Sequence, residues 1–174
     1  MNIRMKVMNW MVIVLSGLML AAHADERDKK PEKFEIRHSM IGYRSTLVFY
    51  SFTEQKAVLV VEINNQDESF PVTGTVHLFE ATTSAEELRK WINNQHSDAL
   101  FIDAPTPVIM EKLPVGFCEI TARKQTGTSE NPGPAKKKIF KDFEVDLSIK
   151  ARDVGGKIKL PAFTDTVRVH VESK

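Results

Sequence analysis

DFEVDLSIK, residues Asp142 to Lys150, alternates without a break: Phe143, Val145, Leu147 and Ile149 are apolar, while Glu144, Asp146, Ser148 and Lys150 are polar. A period of two is the signature of a strand with one face buried and one face wet. TVRVHVES repeats it near the other end of the sequence, with Val167, Val169 and Val171 set against Arg168, His170 and Glu172. Working outward from these two, FEIRH, STLVFYSF, KAVLVVEI, FPVTGTVHLFE, ALFID, PVIMEKL, GFCEITARK and GKIKL also read as short strands. Turn chemistry separates them at Asn64-Asn65-Gln66-Asp67, Leu113-Pro114-Val115-Gly116 and Gly155-Gly156, where glycine supplies a positive φ without steric cost. Many short strands at this spacing predict a mainly β fold, a sandwich of two sheets.

Two segments interrupt the pattern. In TTSAEELRKWINNQHS, Ser84 followed three residues later by Glu87 forms a capping box, which satisfies two orphan amide donors at a helix start. Leu88, Trp91 and Ile92 then share one face, with Glu86, Arg89 and Lys90 on the other, so a short amphipathic helix is predicted. It either lies over a sheet or presents Trp91 to a partner. The second segment is QTGTSENPGPAKKK, Gln125 to Lys138, read as a mobile loop between two strands. Its lysines, Lys136, Lys137 and Lys138, with Lys141 beyond them, are candidates to contact an anionic ligand, or form a solvated cluster.

The N-terminus supplies the compartment. Arg4 and Lys6 precede an apolar run from Trp10 to Ala22, which ends in Ala22-His23-Ala24. That is the plan of a secretory signal peptide over residues 1–24, with cleavage expected before Asp25. The apolar run is short for a membrane span of about 20 residues, so no stable membrane insertion is expected after cleavage. Residues 25–33, DERDKKPEK, form a charged lead too polar to offset its own ordering entropy. Residues 34–174 are left as one domain with one core. Removing the leader takes two of the 24 basic residues and none of the 23 acidic ones, which leaves a formal charge of −1. Such a balance provides no field to recruit nucleic acid. A periplasmic or secreted protein is expected, and the style of the signal with no N-x-S/T sequon points to a bacterial source.

Motifs that carry chemistry are scarce. There is no G-x-S-x-G elbow, P-loop or G-x-G-x-x-G run, so no hydrolase or nucleotide enzyme is indicated. His38, His77, His96 and His170 share no zinc or iron spacing. His38-Ser39-Met40 joins an imidazole to a thioether, a pair that suits copper. Cys118, the single cysteine, falls on a strand face with Ile120 and Ala122, opposite Phe117, Glu119, Thr121 and Arg123. Among apolar neighbours such a thiol is a small hydrophobe of raised pKa; an intermolecular disulfide or a nucleophile are the alternatives.

FPVTGTVHLFE and EKLPVGFCEITARK carry a further pattern. Gly74, Val76 and Leu78 follow G-x-V-x-L, and Leu113, Pro114 and Gly116 form a Leu-Pro-x-Gly turn that leads into Phe117. The pair resembles two signature strands of prealbumin-like sandwiches, among them the B-type repeats of bacterial collagen adhesins and the carboxypeptidase regulatory modules. The resemblance implies a sandwich and a ligand-presenting or structural role. The isopeptide crosslink of some adhesin repeats does not carry over, because the last strand has no asparagine, and no binding residue transfers. The helix also occupies an interval where the pattern has a strand or loop.

The fold expected is therefore an immunoglobulin-like or prealbumin-like β-sandwich with one short inserted helix. The function expected is a non-catalytic exported module without a cofactor, which binds a protein or cell-surface polymer or serves structurally. Trp91 and the lysines at 136–138 are its candidate contacts. Two other readings stay open: a copper-handling protein that uses His38 and Met40, and an inhibitor or accessory subunit of an exported enzyme.

Overall fold

A computed structural model describes residues 31–38, 45–94, 105–130 and 138–173, with backbone alone over 34–38. Along these residues run β1 (Glu32–His38), β2 (Ser45–Phe52), a 3-10 turn (Thr53–Gln55), β3 (Ala57–Asn64), β4 (Val72–Leu78) and α1 (Ala85–Asn94). Then come β5 (Ile109–Lys112), β6 (Cys118–Glu130), β7 (Ile139–Ile149), β8 (Arg152–Val154), β9 (Ile158–Leu160) and β10 (Phe163–Glu172). The molecule is mainly β. Every strand pair is antiparallel, in a five-stranded sheet β1-β2-β3-β4-β5, a three-stranded sheet β10-β7-β6 and a hairpin β8-β9.

The strand expectations are met at most places and corrected at three. β1 begins at Glu32, inside the expected charged lead, because Lys33 is held by Asp165 at 2.8 Å and by the Thr166 carbonyl at 2.7 Å. Gln125 to Glu130 are strand, not loop: they continue β6 in register with β7 from Gln125↔Phe143 to Glu130↔Ile139. Arg152–Val154 is a strand the alternation did not show, three residues being too few to display a period. The expected ALFID strand lies outside the described residues, as does the whole N-terminal leader.

The core explains which strands alternate and which do not. Val48 and Tyr50 of β2, Leu59, Val61 and Ile63 of β3, and Val76 and Leu78 of β4 form one cluster with residues of the smaller sheet. Those partners are Phe143, Val145, Leu147 and Ile149 of β7 and Val167, Val169 and Val171 of β10. Fully burying a side chain of this kind contributes about 1.5–3 kcal/mol, so this shared core outweighs any single polar tie between the sheets. The β8-β9 hairpin adds Val154, Ile158 and Leu160 to it, turning on Gly155 and Gly156 at φ 59° and 67°.

The opposite face of the five-stranded sheet is covered too. Phe49 of β2, Val58 of β3 and Phe79 pack against Leu88, Trp91 and Ile92 of α1. β3 therefore has two buried faces, which is why KAVLVVEI reads as a nearly continuous apolar run and not as an alternation. The capping box forms as expected: the Ser84 amide donates to Glu87 Oε2 at 2.6 Å, and the Glu87 amide donates to Ser84 Oγ at 3.2 Å.

Polar and aromatic contacts fix how the sheets meet. Tyr50 Oη donates to Asp165 Oδ2 at 3.0 Å, and its ring meets Phe163 edge-on at 4.9 Å. At the other side, the Phe117 ring lies on the backbone of Gly74: a Cβ built there meets Phe117 Cζ at 2.1 Å. Leu113 N also donates to the Gly74 carbonyl at 2.9 Å. The two segments of the G-x-V-x-L and Leu-Pro-x-Gly pattern are thus in direct contact, through a glycine that has to be a glycine.

Candidate functional site

Trp91 is core, which corrects its place among the candidate contacts. It is 7% exposed, and its ring lies 6.2 Å from Phe49, 5.3 Å from Phe79 and 5.0 Å from His77. The stripe of α1 is buried because the sheet face below it is apolar. Lys138 makes an ion pair with Glu172 at 2.9 Å, while Lys136 and Lys137 lie outside the described residues. His38 ends β1 opposite Ser45, and Met40 lies outside the described residues.

The sequence did not show a polar row across the smaller sheet. Ser129 Oγ donates to Asp142 Oδ1 at 2.8 Å, and the same oxygen meets His170 Nδ1. The Asn65 amide donates to the His170 carbonyl at 2.7 Å, while Asn65 Oδ1 and His170 Nε2 are buried without a partner. This is not a nucleophile relay. The hydroxyl gives its proton to the carboxylate and not to the imidazole, and the far nitrogen of His170 faces protein. The row joins β6, β7, β10 and the β3–β4 turn. Among the described residues no group of three or more His, Cys, Asp or Glu side chains is placed to hold a metal ion.

Cys118 is buried, and burial first, then the Glu119 charge, pushes its thiol up to about 12. Its neighbours differ from the simple alternation, however. Phe117 precedes the strand and joins the same core. β6 then bulges between Ile120 and Ala122. One extra residue reverses the phase, so Ile120 pairs with the inward Leu147, whereas Ala122 pairs with the outward Asp146 and is exposed. Arg123 is turned to the inner side, where its guanidinium donates to the Glu68 carbonyl.

This second half of β6 is the least covered part of the described chain. β6 is the outermost strand of its sheet, 13 residues long, and residues 121–128 are exposed on both faces. A groove of about 530 Å³ opens beside its first half, Cys118 to Arg123, lined also by Phe70, Val72 and Val115. Val115, at the tip of its turn, is fully exposed. Charged pairs stand at both ends: Lys150 with Glu119 and Lys141 with Glu68, each at 2.7 Å. A second bulge, between Gln125 and Gly127, interrupts the strand again. Sequence reasoning missed this surface, although a signal was present: TARKQTGTS has threonines of good strand propensity and no large apolar side chain to give it a core face.

A different apolar exposure lies on the helix-covered sheet. Val108 and Met110, at its β5 edge, are both exposed. Met110 is paired with His77 across β4 and β5. Burial lowers the pKa of His77 below the ordinary imidazole range. No helix among the described residues is long and apolar enough to cross a membrane. No protein-family model, no curated protein and no solved structure matches the chain.

Proposed function

We propose that this protein is an exported, non-catalytic β-sandwich module, immunoglobulin-like or prealbumin-like, that binds an extended segment of another protein along β6. The observation that carries the reading is the long edge strand, exposed on both faces over residues 121–128, with a largely polar groove beside its first half at residues 118–123. An edge strand offers a row of backbone donors and acceptors, and strand addition uses them for affinity while pockets beside the edge select side chains. The groove that Val115 and Phe70 help to line is such a pocket. The two bulges keep the edge from being flat, which works against indiscriminate pairing between copies.

A protein segment is favoured over a surface polymer because, among the described residues, the large exposed hydrophobics are Val108, Met110, Val115 and Ile139, with no aromatic platform. The contact of Phe117 with Gly74 supports the prealbumin-like assignment, since it unites the two pattern segments. The leader at residues 1–24 supports export. A photo-crosslinking residue placed at Ala122 in the exporting cell tests the site, with Thr164 on the far edge of the same sheet as the control position. The expected outcome is a defined adduct from position 122 and none from 164. Equal adducts at both, or none at 122, remove β6 as the binding surface.

A further inference from the structure

We infer that the outer face of β4 and β5 binds a soft monovalent cation, Cu(I) or its redox-inert analogue Ag(I), between the His77 imidazole and the Met110 thioether. The register puts these residues directly opposite one another. Val76 and Leu78, which flank His77, are buried in the inter-sheet core, and Ile109, next to Met110, packs against it, so His77 and Met110 share the other face. Directly paired residues have Cβ atoms about 4.5–5.5 Å apart, near enough for both side chains to reach one ion.

The chemistry of the donors selects the ion. Imidazole and thioether are both neutral, and a thioether is a soft donor suited to Cu(I) and poor for Zn²⁺, Mg²⁺ or Ca²⁺. His77 Nδ1 is buried without a hydrogen-bond partner. Trp91 holds the imidazole in place: the rings are 5.0 Å apart at 48°, and Trp91 itself is wedged between Phe49 and Phe79. An aromatic face beside the pair also favours a cation. Met110 is 63% exposed, so its thioether is open to solvent. His38 lies elsewhere: it ends β1 in the row His38–Ser45–Asn64, whereas His77 is in the row of Val58 and Ser51, toward the other end of the sheet.

The site is independent of the β6 surface, and either can fail without the other. The test is an anaerobic titration of the full chain with Ag(I), and with Cu(I) against bicinchoninate, read by calorimetry and by ¹³C-methyl methionine NMR. One ion per chain is expected, with shifts of the Met110 methyl and the Trp91 indole signals. Met110→Leu, a conservative change at an exposed position, is expected to weaken binding about tenfold or more, at least what loss of an outer-shell partner costs a metal site. His77→Gln should do the same, and His38→Gln and Met40→Leu should leave affinity unchanged. Binding that survives Met110→Leu, that is lost in His38→Gln, or that never exceeds the competitor overturns the assignment.

Discussion

At the scale of single residues, two positions hold the account of the core. Gly74 has no room for a methyl group, because Phe117 Cζ would stand 2.1 Å from a Cβ. Gly74→Ala forces the ring off the β4 backbone and is expected to cost about 1–3 kcal/mol, the usual range for overpacking. Urea melts of the variant, alone and with Phe117→Leu, check this: the second change should recover part of the loss. Cys118 gives the second prediction. With its thiol pushed up to about 12, labelling by a disulfide reagent such as DTNB at pH 8 should run at least about a hundredfold slower in the native protein than in urea. A dimer dissolved by reducing agent would contradict the buried, inert thiol. The placement of Cys118 was legible from the apolar neighbour Ile120. That of Ala122 was not, since the bulge at 120–122 is set by pairing with β7 and leaves no mark in an alternating sequence.

At the scale of elements, α1 was readable because all its signals are local. Ser84 and Glu87 close the start, and the spacing of Leu88, Trp91 and Ile92 gives the buried stripe. What lies beneath the stripe was less readable: Phe49 and Val58 belong to strands buried on both faces, and period cannot say which face meets a helix. Ser84→Ala is expected to cost about 1 kcal/mol. The Glu87 carboxyl is held below the ordinary glutamate value of 4.5, first by the hydrogen bond from the Ser84 amide and then by the Ser84 side chain. A depressed carboxylate contributes stability that is present above the unfolded pKa and is lost as pH falls through the folded one. The difference in melting between the parent and Glu87→Gln should therefore shrink below pH 4.5 and hold steady above it. A difference that persists unchanged at pH 3 would contradict the cap. β6 is the element where local reading failed: the Gly, Ser and Thr of Gln125 to Glu130 look like loop, and pairing with β7 makes them strand.

At the scale of the whole molecule, the mainly β architecture was legible from alternation, but the order of strands was not. That order makes β7 central and β6 outermost, so the proposed binding surface is a property of topology and could not be found by scanning for motifs. The sequence left Trp91 either on a helix lying over a sheet or presented to a partner; the second apolar face of the five-stranded sheet claims it, as the first of these has it. His77 and Met110 stayed unnoticed for a related reason: 33 positions separate two residues that register makes neighbours. The central proposal is that β6 receives an extended protein segment, and amide hydrogen exchange tests it most directly. The purified chain is compared with and without the partner crosslinked through position 122 in the cell, once that partner is purified. Within residues 121–128, fast exchange is expected in the free protein at the amides that point away from β7, whose neighbours on the other side are paired with that strand, and clear protection of those same amides is expected in the complex. Unchanged exchange in β6, with protection confined to other strands or to the β3–β4 turn, would contradict it.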